Sequence, residues 1–142
     1  MLTKWDARHL HMAHEIAKWS KDQSTKVGAR LVAGKVCIGE GFNGPPAGMQ
    51  DDPTIDRDTK LRRTLHAEAN AILFARGDLR GTTMYVTHHP CARCAALIAQ
   101  AGVARVVCNA PDPAFAVRWQ DDITEAQLIF QHAGITLVSL EV

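Results

Sequence analysis

A chain of 142 residues is long enough for one domain, residues 1–142, burying about two thirds of its unfolded surface. Its formal net charge of +1 gives no broad attraction to polynucleotide or to an acidic membrane, and its 46% hydrophobic and 22% charged residues are those of an ordinary globular protein. No apolar run approaches the ~18–20 residues of a membrane span, and the opening residues lack a signal peptide's apolar stretch, so a cytoplasmic address is expected.

In chain order, residues 5–20 put Trp5, Met12, Ile16 and Trp19 near helical spacing, with Asp6, Arg8, Glu15 and Lys18 between them. This reads as an amphipathic helix. Residues 27–32 and 36–39 read as two strands joined by a tight Gly34-Lys35 turn. Residues 41–48, rich in Gly and Pro, read as a loop, and the charged run 51–63 as a solvated excursion. A helix is expected over 66–75, a strand over 82–87, a helix over 91–100, a strand over 103–108, a helix over 122–132 and a last strand over 135–138. The βαβα alternation after the hairpin argues for an α/β sheet with parallel members and helices on both faces.

Two motifs carry chemistry: His66-Ala67-Glu68 and Pro90-Cys91-Ala92-Arg93-Cys94. Each opens an expected helix. A Cys-x-x-Cys at a helix start presents both sulfurs on one side, where the dipole and free N–H groups favour thiolates. By themselves the two cysteines also fit a redox pair or half of a closed zinc site. With His66 as third ligand, one tetrahedral position stays open for water, the pattern of a catalytic zinc. Glu68 is then placed to move protons between that water and a substrate. His-x-Glu followed by Pro-Cys-x-x-Cys is the signature of zinc nucleobase deaminases. Cys37 and Cys108 fall in strands and read as small buried residues. His9, His11 and His14 read as exposed helix histidines, and His88 and His89 as residues bordering the pocket.

With these motifs the chain resembles the cytidine and deoxycytidylate deaminase family, and within it the dCMP deaminases. Matching stretches are residues 19–22 (Trp-Ser-Lys-Asp), 24–29 (Ser-Thr-Lys-Val-Gly-Ala), the loop 41–48 (Gly-Phe-Asn-Gly-Pro-Pro-Ala-Gly), 66–72, 84–87, the Pro-Cys-x-x-Cys run and 98–102. The resemblance implies a three-layer α-β-α cytidine-deaminase-like fold with a five-stranded mixed sheet. It implies one zinc per chain and hydrolysis of dCMP to dUMP with loss of ammonia, supplying dUMP for thymidylate synthesis. It also implies a homo-oligomer, often a hexamer. Glu68 is then the catalytic residue, with His66, Cys91 and Cys94 the metal ligands. Asn43 is expected on the substrate's sugar, although Asn43-Gly44 alone reads as a turn. Ala67 is expected in the substrate pocket. Ser24 and Lys26 are the expected 5′-phosphate contacts, with Lys60, Arg62 and Arg63 as weaker candidates in a charged run. Residues 49–65 contain neither Cys nor His, so the second, structural zinc of some relatives is not expected. Phe42 stands where relatives commonly have tyrosine.

The competing readings are a tRNA or polynucleotide adenosine deaminase, a free (deoxy)cytidine deaminase, and a zinc-stabilised module without catalysis. Near-neutral charge and only eight aromatic residues weigh against a nucleic-acid partner. A purely structural zinc site has no use for Glu68.

Overall fold

The computed structural model describes residues 2–50 and 52–141. The chain begins with helix α1 (Lys4–Ala17), opened by a capping box in which Thr3 and Asp6 satisfy each other's backbone N–H groups. The hairpin follows as β1 (Gly28–Ala33) and β2 (Val36–Phe42). Then come α2 (Arg57–Arg63), α3 (Ala67–Phe74), β3 (Thr83–Val86), α4 (Ala92–Ala101), β4 (Arg105–Asn109), α5 (Pro113–Arg118), α6 (Gln120–His132) and β5 (Thr136–Leu140). The five strands form one mixed sheet in the order β2-β1-β3-β4-β5, with β1 antiparallel to both neighbours and β3, β4 and β5 parallel.

One apolar cluster joins this sheet to α3, α4 and α6 through Ala67, Ala71, Ala95, Ile98, Ala126 and Phe130. A second, smaller cluster joins the opposite face to α1 through Leu10, Ala13, Val32, Tyr85 and Val107. Helices therefore cover both faces. No helix among the described residues is long and apolar enough to cross a membrane.

Helix α1 turns inward a different face from the one its large apolar residues suggest. Trp19 and Met12 are exposed, whereas Asp6, His9, Leu10, Ala13 and Ala17 are buried. His9 is thus not the exposed histidine expected. The reason is close packing: a Cβ at Gly28 would lie 2.0 Å from the Ala13 carbonyl oxygen, so the small-residue side of α1 meets the strand. Two short helices were also unforeseen. The excursion 51–63 contains α2, capped by Asp56, and α5 is capped by Asp112 with Pro113 in its first turn. Strand β2 runs on through Gly41 and Phe42, which were read as loop.

Buried Asp6 ties α1 to the sheet. Its carboxylate accepts bonds from Tyr85 Oη at 2.7 Å and from both Arg105 terminal nitrogens at 2.7 and 2.8 Å. The Arg105 guanidinium, ahead of the Tyr85 hydroxyl, holds this carboxyl well below the usual carboxylate range. Its folded pKa is depressed, so the stabilisation is present above the unfolded value of about 3.9 and fades as pH falls below it. Replacing Asp6 by Asn should cost about 2–3 kcal/mol, because Arg105 and Tyr85 lose a charged acceptor while Arg105 stays partly hydrated. Thermal melting should show a Tm lower by roughly 5–10 °C at pH 7, with the gap narrowing towards pH 3. A gap independent of pH would show that charge is not what Asp6 contributes.

Candidate metal centre

The helices α3 and α4 start side by side, and each start carries one motif. His66 is the N-cap of α3 and makes no capping bond, which leaves its imidazole available. Cys91 is the N-cap of α4, and its sulfur accepts the Cys94 backbone N–H at 3.4 Å. Both sulfurs face His66 Nδ1, at 3.5 Å for Cys91 and 3.4 Å for Cys94. Among the described residues this is the one group of three potential ligands, with all donor atoms within 4.8 Å of one another.

The donor spacing matches a tetrahedral zinc. Bonds of about 2.3 Å to sulfur and about 2.0–2.1 Å to nitrogen place such ligands about 3.6 Å apart. Without a metal, the close approach of the two sulfurs lowers Cys91 well below the usual thiol range and holds Cys94 above it, so a bound metal must displace the Cys94 proton. The Cys91 sulfur in turn raises the pKa of His66. Two cysteine sulfurs and an imidazole converging on one point suit zinc.

Glu68, one residue into α3 beyond Ala67, is 4% exposed. Burial is the main cause that pushes its carboxyl up to about 7, and the charge of the nearby Cys91 sulfur adds to the rise. Ala67 is fully buried beneath the same helix start. The helix can lie this close to β2 because Gly41 has no side chain: a Cβ there would stand 2.6 Å from the Ala67 carbonyl oxygen.

The segment 20–27 is held to the end of β2 by Asn43. Its Oδ1 accepts the Val27 N–H and its Nδ2 donates to the Thr25 carbonyl, both at 2.9 Å. The Ser20 hydroxyl donates to the Asn43 carbonyl at 2.8 Å, and Asn70 of α3 donates to the Phe42 carbonyl at 2.8 Å. The structure therefore gives Asn43 a role as a clamp that a turn reading missed. Asn43→Ala should lower stability by about 1–3 kcal/mol, since it strands the Val27 N–H and Thr25 carbonyl. The check is a melting curve together with metal content. An unchanged Tm would return the loop's rigidity to other contacts.

Ser24 and Lys26 do not sit together. Ser24 lines a cavity of about 470 Å³ whose wall also holds Asp22, Gly44, Lys60, Arg63 and Thr64, the last of these two residues before His66. The Lys26 ammonium instead donates to the Ser20 carbonyl at 2.6 Å, bracing the clamped loop. Lys60 pairs with Asp22 at 3.2 Å. Arg62, also considered from sequence, does not line this cavity. Ser20, Asn70 and Asp122 support the site without having been singled out. Their partners are distant in sequence, so even the matching stretches that contain Ser20 and Asn70 do not show what those side chains hold.

Comparison with known proteins agrees with this geometry. The family model for the cytidine and deoxycytidylate deaminase zinc-binding region matches residues 3–110. The uncharacterized deaminase of the luxG 3′ region of Aliivibrio fischeri is 43% identical over 99% of this chain and 96% of its own length. The human deoxycytidylate deaminase is 36% identical over 94% of this chain and 78% of its own. Among solved structures, the dCMP deaminase of cyanophage S-TIM5 in complex with dCMP and dUMP superposes with a TM-score of 0.83 at 26% identity, covering 99% of both chains. With a match across most of its length and the ligand cluster on the matched helices, this chain belongs to the cytidine and deoxycytidylate deaminase family of zinc-dependent enzymes.

Proposed function

We propose that residues 1–142 form one catalytic domain that hydrolyses dCMP to dUMP and ammonia. The observation that carries this reading is a buried carboxylate, Glu68, set beside a three-ligand cluster that leaves one tetrahedral position open. The end-to-end similarity to deoxycytidylate deaminases supports the choice of nucleotide.

His66, Cys91 and Cys94 would hold the zinc, which when bound supplies Lewis-acid activation of a water at the open position. Glu68 takes a proton from the attacking water and delivers it to N3 of the cytosine ring. It then carries a proton to the departing C4 amine. Its raised pKa suits a group that must both accept and donate near neutrality. Ala67, small and buried, leaves room for the ring, and Asn43 sets the loop that meets the sugar. Both thiolate ligands need a reducing surrounding, which favours a cytoplasmic location. Leu73 and Phe74, largely exposed at the end of α3, support assembly with further copies of the chain.

The 5′-phosphate is read in the cavity beside Thr64 by Ser24 with Lys60 and Arg63, while Lys26 contributes from the braced loop. Lys60→Ala should lower kcat/KM for dCMP by roughly 10- to 150-fold, the worth of a charge-assisted contact of about 1.5–3 kcal/mol. Deoxycytidine turnover should barely change. Lys26→Ala should harm both substrates, more so dCMP. Equal losses on both substrates in both variants would remove the phosphate assignment. The wider test is ammonia release from dCMP, dCTP, deoxycytidine and an adenosine-containing stem-loop. Preference for the stem-loop or for deoxycytidine would overturn the dCMP reading.

A further inference from the structure

The metal ligands of α4 are held from an element outside the family-matched region. Asp122 lies in the first turn of α6, beyond residue 110. Its Oδ2 accepts the backbone N–H of Ala92 at 3.1 Å. Ala92 is the first residue of α4, immediately after Cys91. The free N–H groups of that turn are thus divided: the Cys94 N–H goes to the Cys91 sulfur, and the Ala92 N–H goes to Asp122. In the first turn of α6, an acidic residue such as Asp122 also complements the helix dipole. One half-buried carboxylate in the first turn of α6 thus meets the first N–H of α4. Behind it the helices share an apolar seam through Ala95, Ile98, Ala126 and Phe130, which leaves little freedom to realign.

We propose that Asp122 is a positioning residue for the metal centre, fixing the orientation of the Cys91–Cys94 turn and so the direction of both sulfurs. It acts through its hydrogen bond to the Ala92 backbone rather than as a ligand. Residues that orient metal ligands from behind typically change metal affinity by about 10–100-fold when removed. An ordinary tie between two helices would change stability alone.

The inference rests on the zinc assignment, and its test separates the two. Zinc-loaded wild type, Asp122→Ala and Asp122→Asn are each titrated with a competing chelator. Cobalt-substituted samples are compared by their thiolate-to-metal and d–d absorption. Asp122→Ala should lose zinc at a chelator activity about 10- to 100-fold lower than wild type, with an altered cobalt spectrum. Asp122→Asn keeps an oxygen acceptor for the Ala92 N–H and should recover most of the affinity. If Asp122→Ala melts lower but gives the wild-type chelator midpoint and cobalt spectrum, Asp122 is a helix tie and the proposal falls. An Asn variant no better than Ala would equally overturn the hydrogen-bond mechanism. Wild type that holds no zinc at the outset would overturn the metal assignment itself, and this role with it.

Discussion

Glu68→Gln is expected to retain zinc and fold while losing nearly all turnover. The amide matches the carboxylate in shape and can still occupy the buried space beside Cys94. It cannot accept the water's proton or pass one to the ring nitrogen. General acid–base groups contribute typically ~10²–10⁴-fold, and here a single side chain is asked to serve every transfer, so the loss should sit at the upper end. Because a buried carboxylate is costly, the Gln variant should melt no lower than wild type and can melt higher. Steady-state assays with metal analysis check this. Residual activity above about a tenth of wild type would place the proton transfers elsewhere.

Removal of the metal should have the second large effect. The three donors gather within 4.8 Å, and no other group of that kind occurs among the described residues, so one zinc per chain is expected. A ligand that binds only the folded state at roughly 1,000 times its Kd adds about 4 kcal/mol to stability. For a chain of this length that corresponds to a Tm lower by roughly 10 °C or more after chelation. Activity should vanish with the metal and return on adding zinc. Cys94→Ser should reproduce the loss without chelator, since it replaces a buried thiolate by a poor ligand. Two tightly bound metals per chain, or full activity without any, would contradict the assignment.

The centre was legible because its determinants are local. His66 with Glu68, and Cys91 with Cys94, are each fixed relative to one another by a single helix start. The supporting shell was not legible, because it is made by contacts across the fold. Asn43 looks like a turn residue until its amide is seen spanning Thr25 and Val27. Asp122 looks like a first-turn helix acid until α4 is packed beside it. The face of α1 was misjudged for a related reason. Its large apolar residues suggested the buried side, but Gly28 admits only the side carrying Ala13 and Ala17, and Asp6 and His9 follow them inward. The short helices did leave local marks, in Asp56 three residues before Thr59 and in Asp112-Pro113, which the dense charge of one stretch and the prolines of the other obscured.

The central claim is that water, activated at this centre and deprotonated by Glu68, replaces the C4 amine of dCMP. It is tested most directly by turning over dCMP with the zinc-loaded protein in H₂¹⁸O and weighing the products. The products should be dUMP carrying one ¹⁸O at C4 and one ammonia for each dUMP formed. Unlabelled dUMP, or dCMP recovered intact while another cytosine or adenine substrate is consumed, would contradict it.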